Sequence, residues 1–479
     1  MAAVRQAKRL IAEKGLAQLL QHRWEETLVR SLYRLFIVGA LISLMPSLGL
    51  AQQTDFSEMS QWIQMSSHQG SIPVGTKITM SNWQQYQAFM PLGMVKLFQG
   101  TYGWKMPADV EMDVGPSHEG GNLPKTWVEM TEKYGSQTGV EVLPNGHYVI
   151  KNYQGGTPFP NPQDPYKGWK VLANVFWAYA PAMYVKTPSN YGTVWAVDRF
   201  GNISPSGLDV VYRWSDFITD KGFPRRENYA PGTWYTEWLM QESPEQARYT
   251  ASLSLFYVDQ EKSPFPDTYV FVPALRRSLR LSTTSRCSPV FGFDWTNDDA
   301  KLNGFNGSTS IYTGKFLGDR KMLNLTAFDG SKGGAFPNEY DMPLGFPKPS
   351  WGQWELRNTA IDDVTRIPSE ASGYCYAHRI LYADHEFWSA NWVDLYDSNS
   401  KLWKAIAYLN QIAKVPGGGY QWKDIASSMA MDLQNVHETI WSSYGNPQKQ
   451  GAYLDFQSPK EYFDGVKYGS PSGLMQILR

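Results

Sequence analysis

The chain has 479 residues, 42% hydrophobic and 19% charged, with a formal net charge of −1. This composition supports a folded protein with an ample core and excludes extensive disorder, and near-neutral charge leaves no basic footprint for nucleic acid. Aromatics make up 14% of residues, including 19 Trp and 28 Tyr, and with 41 Gly and 30 Pro they point to strands and ordered loops rather than helix bundles.

Arg30 to Gln52 reads as a secretory signal. Arg30 and Arg34 form a positive n-region, Leu35–Met45 an apolar stretch and Pro46 a break, and Gly49-Leu50-Ala51 carries the small residues a signal peptidase reads. The apolar stretch is about 11 residues, against the roughly 20 that span a bilayer. Cleavage after Ala51 gives an N-terminal extension with signal peptide, residues 1–51, and a single mature domain, residues 52–479, exported to the periplasm. No Cys follows the cleavage site to carry a lipid anchor. The first 29 residues are long and mixed in charge for an n-region, which fits initiation at Val29.

Phe56, Met59 and Ile63 recur at helical spacing in Thr54–Met65. Ser81 caps a second expected helix, with Trp83, Tyr86, Met90, Met94 and Leu97 on one face and Pro91 as a kink. Val110, Met112 and Val114 alternate, and Pro144-Asn145-Gly146 marks a turn. Three prolines make Gly155–Pro162 an extended loop. Lys167–Tyr179 places Trp169, Leu172, Phe176 and Tyr179 on the stripe of a core-facing helix. Tyr191–Leu281 reads as antiparallel strands, the longest pair being Arg248–Asp259 and Thr268–Ser282. Cys375–Ala383, Phe387–Tyr396 and Leu402–Asn410 form a meander, because turns this short join only antiparallel neighbours. Both faces of that meander carry large apolar groups, so both touch something other than water. Trp422, Ile425, Met429, Leu433, Val436 and Ile440 suggest a last amphipathic helix.

Chemistry is hard to find. The seven histidines form no H-x-x-x-H or H-x-E pair, and no nucleophile elbow or phosphate loop occurs. Ser398-Asn399-Ser400-Lys401 matches S-x-x-K but falls in a polar turn that would not enclose a substrate. Asp294–Asp299 concentrates carboxylates without the twelve-residue calcium pattern, so a turn with Asx hydrogen bonds is expected and no metal. The two cysteines, Cys287 and Cys375, exclude a disulfide scaffold or Cys-rich zinc site; they either pair in an oxidising compartment or stay as two buried thiols.

Gly75–Thr79 leading to Asn82-Trp83, Trp104–Gly115, Thr157–Pro162, Asp267–Ser282, Phe291–Asn306 and Gly373–Trp403 together resemble a known family. It is a domain-of-unknown-function family of proteobacterial secreted proteins, labelled outer-membrane lipoprotein-sorting proteins and placed with the LolA/LolB carriers. The resemblance runs over nearly all of the mature chain and includes both cysteines. It implies a mainly β fold with helices (α+β), a large antiparallel half-barrel with helices covering its concave side. It further implies a periplasmic carrier of a lipid, lipoprotein or other hydrophobic molecule, associated with the outer membrane, with no cofactor and no catalysis. The partners it implies are an exporter of the resistance-nodulation-division class and an outer-membrane protein.

An aromatic groove suits such cargo, since each buried CH₂ contributes roughly 0.8 kcal/mol without polar contacts. The groove candidates are Trp195, Trp214, Phe256, Tyr269, Phe271, Trp388 and Trp392. In this arrangement a Cys287–Cys375 bridge would fasten the meander to the preceding strands. Aromatics beside Asp and Asn would also suit a carbohydrate-binding or -cleaving protein, and a structural subunit of an envelope transport complex is a third reading.

Overall fold

The structure, a computed structural model, describes residues 56–186, 194–219, 232–282, 286–299, 301, 303–327, 336–414, 421–442 and 453–478, with the backbone alone at 411–414, 421–426 and 457. The expected leader, residues 1–51, lies outside them. The described residues fall within one unit, Gln52–Arg479.

Two antiparallel sheets organise the chain. The larger has nine strands, in the order Tyr312–Ala327, Gln353–Arg366, His378–Asp384, Ala390–Tyr396, Leu402–Lys414, Gln421–Asp432, His437–Ser442, Val194–Val197 and Ile203–Ser206. The smaller has seven, in the order Arg277–Arg280, Asp267–Val272, Ala251–Tyr257, Thr233–Gln241, Leu208–Trp214, Met183–Lys186 and Tyr453–Leu454. The large sheet curls until its first strand meets its fifth in two parallel pairs, Thr326 with Asn410 and Ala327 with Gln411.

Three apolar cores follow from this stacking. The first lies between the sheets and includes the helix Lys167–Phe176, with Trp169, Leu172 and Phe176 buried as their spacing predicts. Gly168 and Gly314 let that helix press onto the strand below: a Cβ on Gly168 would sit 2.4 Å from the Gly314 carbonyl. The second core covers the opposite face of the large sheet, under the helices Ser57–Ser66 and Leu92–Phe98. The third fills the outer face of the small sheet, beneath Tyr462, Tyr468 and Leu474.

The meander therefore carries aromatics on both faces because both faces are buried. Leu381, Val393 and Ile406 point into the core between the sheets; Ile380, Tyr382, Trp392 and Tyr396 point under the N-terminal helices. Strict alternation fails at two bulges, between Tyr382 and Ala383 and between Leu395 and Tyr396. The second moves Leu402 onto the opposite face from the one its distance to Ile406 implies.

Three expectations are corrected. The last amphipathic helix is a hairpin of Gln421–Asp432 and His437–Ser442, because residues four apart share a face in strands as in helices. The helix capped by Ser81 is two 3₁₀ turns, Trp83–Gln85 and Gln87–Phe89, followed by Leu92–Phe98; Pro91, extended at ψ 147°, separates them rather than kinking one helix. Thr268–Ser282 is broken at Pro273–Leu275, with Arg276 left-handed at φ 48°, so it forms a hairpin of its own. Within that region the longer pairings are those of Thr233–Gln241 with Leu208–Trp214 and with Ala251–Tyr257.

Cys287 and Cys375 are bonded, with Cα atoms 5.8 Å apart and a separation of 88 in sequence. Closing a loop of that length stabilises by about 4–5 kcal/mol in the chain-entropy picture. Replacing both cysteines by Ala should cost about 2–5 kcal/mol in urea unfolding under non-reducing conditions. An unchanged midpoint would show that the bridge carries no stability.

Candidate functional site

An apolar cavity of about 90 Å³ lies between the two sheets. From the small sheet it receives Leu208, Val210, Tyr212, Glu237 and Leu239. Alternation puts these on the inner face, and register pairs Val210 with Leu239 and Tyr212 with Glu237. From the large sheet come Tyr408, Ser428, Trp441 and Val194, which form one continuous cross-strand row. Ser428 is the short member between two long ones, which leaves the row a hollow. The third wall is the segment from Val290 to Lys301, contributing Val290, Phe293, Trp295, Asp299 and Lys301.

That third wall is fastened by two adjacent carboxylates. Asp298 pairs with Arg286 at 2.5 Å and accepts hydrogen bonds from the Tyr312 and Tyr374 hydroxyls at 2.5 and 2.8 Å. Burial alone would raise its pKa, but Arg286 and Arg366 beside it hold the carboxyl down at about 2. Asp299 pairs with Arg379 at 2.7 Å and accepts from Thr296 and from the Tyr376 hydroxyl. The Arg379, Tyr374 and Tyr376 side chains belong to the start of the meander, as does Cys375. The disulfide, the Asp299–Arg379 ion pair and the Tyr374–Asp298 hydrogen bond therefore join the same two segments, while the Arg286–Asp298 pair closes the first segment on itself.

Two ionisable groups at the inner end of the cavity are less well compensated. Burial pushes Lys301 down to about 7 and Glu237 up to about 7. Lys301 Nζ donates to the Phe176 carbonyl at 2.5 Å and lies over the rings of Phe176, Trp234 and Tyr235. Glu237 Oε2 accepts from Asn306 at 2.9 Å.

Beside the third wall, His437 stands between Asp294 and Asp432. Its Nδ1 is 3.1 Å from Asp294 and its Nε2 is 3.9 Å from Asp432, and the Asp294 hydrogen bond raises its pKa. These three side chains are within reach of a common ion. The ring, however, turns opposite nitrogens to the two carboxylates, while Lys404 bonds the Asp294 carbonyl, so the arrangement is an imidazole clamp.

The seven aromatic candidates do not come together, and none lines this cavity. Trp214, Phe256 and Trp388 lie in the core between the sheets, where Trp214 and Phe256 both stack on Tyr235. Trp195 and Trp392 lie under the N-terminal helices. There the Trp392 indole donates to Asp394, which accepts the Gly93 amide at the start of Leu92–Phe98, beside a void of only about 10 Å³. Phe271 and Tyr269 belong to the outer face of the small sheet. The mixed aliphatic and aromatic lining was missed; its readable signal was Glu237, a lone charge at an inward position between Tyr235 and Leu239. A larger recess of about 370 Å³ is polar, bordered by exposed Asn152, Gln154, Asp259 and Glu261.

Glu237 provides a test of this electrostatics. Its ordinary value is 4.5 and its folded value about 7, so the folded protein keeps a proton that the unfolded chain releases between those pH values. Ionising Glu237 therefore lowers stability progressively from pH 4.5 to 7. Glu237→Gln should be more stable than the native protein by roughly 3 kcal/mol at pH 8 and equal to it at pH 4.5, measured by urea unfolding. Equal stability at both pH values would contradict the assignment.

Among solved structures, the chain is similar to a protein domain from Vibrio parahaemolyticus named for outer membrane lipoprotein sorting, at 12% identity and TM-score 0.41, over 64% of this chain and 99% of that one. It is similar to a DUF1329 family protein from Desulfovibrio piger at 14% identity and TM-score 0.41, over 64% and 100%. A LolA superfamily protein from Nitrosomonas europaea follows at 12% identity and TM-score 0.34, over 57% and 90%. No curated protein matches. Residues 77–471 match the family described as "protein of unknown function (DUF1329)", and the chain belongs to that family.

Proposed function

We propose that the protein binds and carries a hydrophobic molecule, a lipid or lipoprotein acyl chain among the candidates, in the periplasm and without catalysis. The observation that carries this reading is the apolar cavity between the sheets, walled by aliphatic and aromatic side chains from two sheets and a cross-linked segment. Apolar cargo gains free energy from such walls in proportion to the surface it removes from water. The disulfide suits an oxidising compartment outside the cytosol. A sugar platform needs flat exposed aromatics with polar groups converging on them; none of the described tryptophans is exposed, and the exposed Phe and Tyr rings among the described residues are Tyr166, Phe200 and Phe456. The paired carboxylates Asp298 and Asp299 are engaged by Arg286 and Arg379, which fits a structural duty rather than acid–base chemistry.

Native mass spectrometry of protein purified from the periplasm, followed by lipid extraction, tests the proposal. A reproducible apolar adduct should appear, and it should be lost in Ser428→Phe, which fills the hollow of the cross-strand row, with the variant still folded by circular dichroism. A protein that is empty and ignores added lipid, or a filled variant that keeps its adduct, would refute it.

A further inference from the structure

The cavity is apolar along its walls and ionisable at its inner end, and this asymmetry says what kind of molecule it would hold. Lys301 is buried, and among the described residues its ammonium makes one hydrogen bond, to the Phe176 carbonyl, lies over the rings of Phe176, Trp234 and Tyr235, and forms no ion pair. Its ammonium has three hydrogens to place. Glu237, equally buried, uses Oε2 for Asn306, and Oε1 has no donor among the described residues. Both side chains line the cavity. A buried polar group without partners is costly, so these two present unmet bonding capacity to whatever enters.

We propose that the cavity takes an aliphatic carboxylic acid, its carboxyl group held between Lys301 and Glu237 and its chain lying along Val210 and Leu239. This deepens, and rests on, the reading of the protein as a carrier of hydrophobic molecules. The head group follows from the chemistry of the two residues. Burial leaves both groups titrating near neutrality, and an entering carboxylate favours the protonated form of each, accepting from the Lys301 ammonium and from the Glu237 carboxyl hydrogen. A phosphate dianion would meet one cation and an acidic group, and an amine would meet Lys301 head on. An alcohol brings no negative charge to hold the proton on Lys301, which burial otherwise releases near neutrality.

Size and shape agree. An apolar cavity of about 150 Å³ takes benzene, so about 90 Å³ admits the carboxyl and its first carbons. The rest of the chain leaves past Val290, Phe293 and Trp441, which line the cavity and are only half-buried.

The test compares decanoic acid with 1-decanol, two probes with the same chain length, by titration of tryptophan fluorescence at pH 7; Trp295 and Trp441 report from the cavity wall. Decanoate should bind the native protein at least tenfold more tightly than decanol. In Lys301→Met, which keeps the length and removes the charge, decanoate should weaken to within threefold of decanol while decanol is held as before. Equal affinities in the native protein would overturn the head-group assignment and leave the carrier reading standing. A decanoate preference that survives Lys301→Met would overturn it likewise. Failure of both probes to bind the native protein would overturn this inference and count against the carrier reading with it. The native-protein comparison decides even where the variant fails to fold.

Discussion

Two neighbouring carboxylates, Asp298 and Asp299, each engaged by its own buried arginine, hold the structure's central segment in place. Ions taken out of water are expensive, and burial repays that expense only when the pairing is close and the remaining lone pairs are satisfied. Here Asp298 has Arg286 and two tyrosine hydroxyls, and Asp299 has Arg379, Thr296 and Tyr376. Removing one member would leave a buried charge, at about 3–5 kcal/mol. The disulfide beside them restrains the same two segments covalently. This lock works with the bonds of Asp294 to Thr439 and Lys404 and of Lys301 to Phe176 in fixing the stretch from Val290 to Lys301, the third wall of the cavity.

The meander was legible because short polar turns dictate antiparallel neighbours, and its two-sided aromatic load foretold burial on both faces. Its exact facing was not, because bulges change parity without marking themselves in the sequence; Leu402 is the case in point. The strand Tyr312–Ala327 escaped notice since Lys315, Asp319, Arg320 and Lys321 interrupt its apolar pattern on the less buried half. The hairpin of Gln421–Asp432 and His437–Ser442 read as a helix because Met429 and Leu433 satisfy both periods.

The site was less legible than the fold, for a physical reason. Large aromatics announce burial, and burial is where Trp214, Phe256 and Trp392 are found. A cavity is missing volume, and missing volume comes from a small residue in the right cross-strand row. Ser428 between Tyr408 and Trp441 creates it, and only the register of three strands reveals that adjacency. Glu237 and Lys301 are the complementary clue: local rules are broken where charged side chains face an apolar interior, and such breaks concentrate at functional positions.

The most direct measurement is a crystal structure of the protein soaked with 10-bromodecanoic acid, using the anomalous signal of bromine to place the chain. The account predicts chain density between Leu239 and Ser428 with the bromine at the mouth formed by Phe293 and Trp441. Density confined to the face beneath the N-terminal helices, or none at all in crystals that hold the acid at saturating concentration, would contradict it.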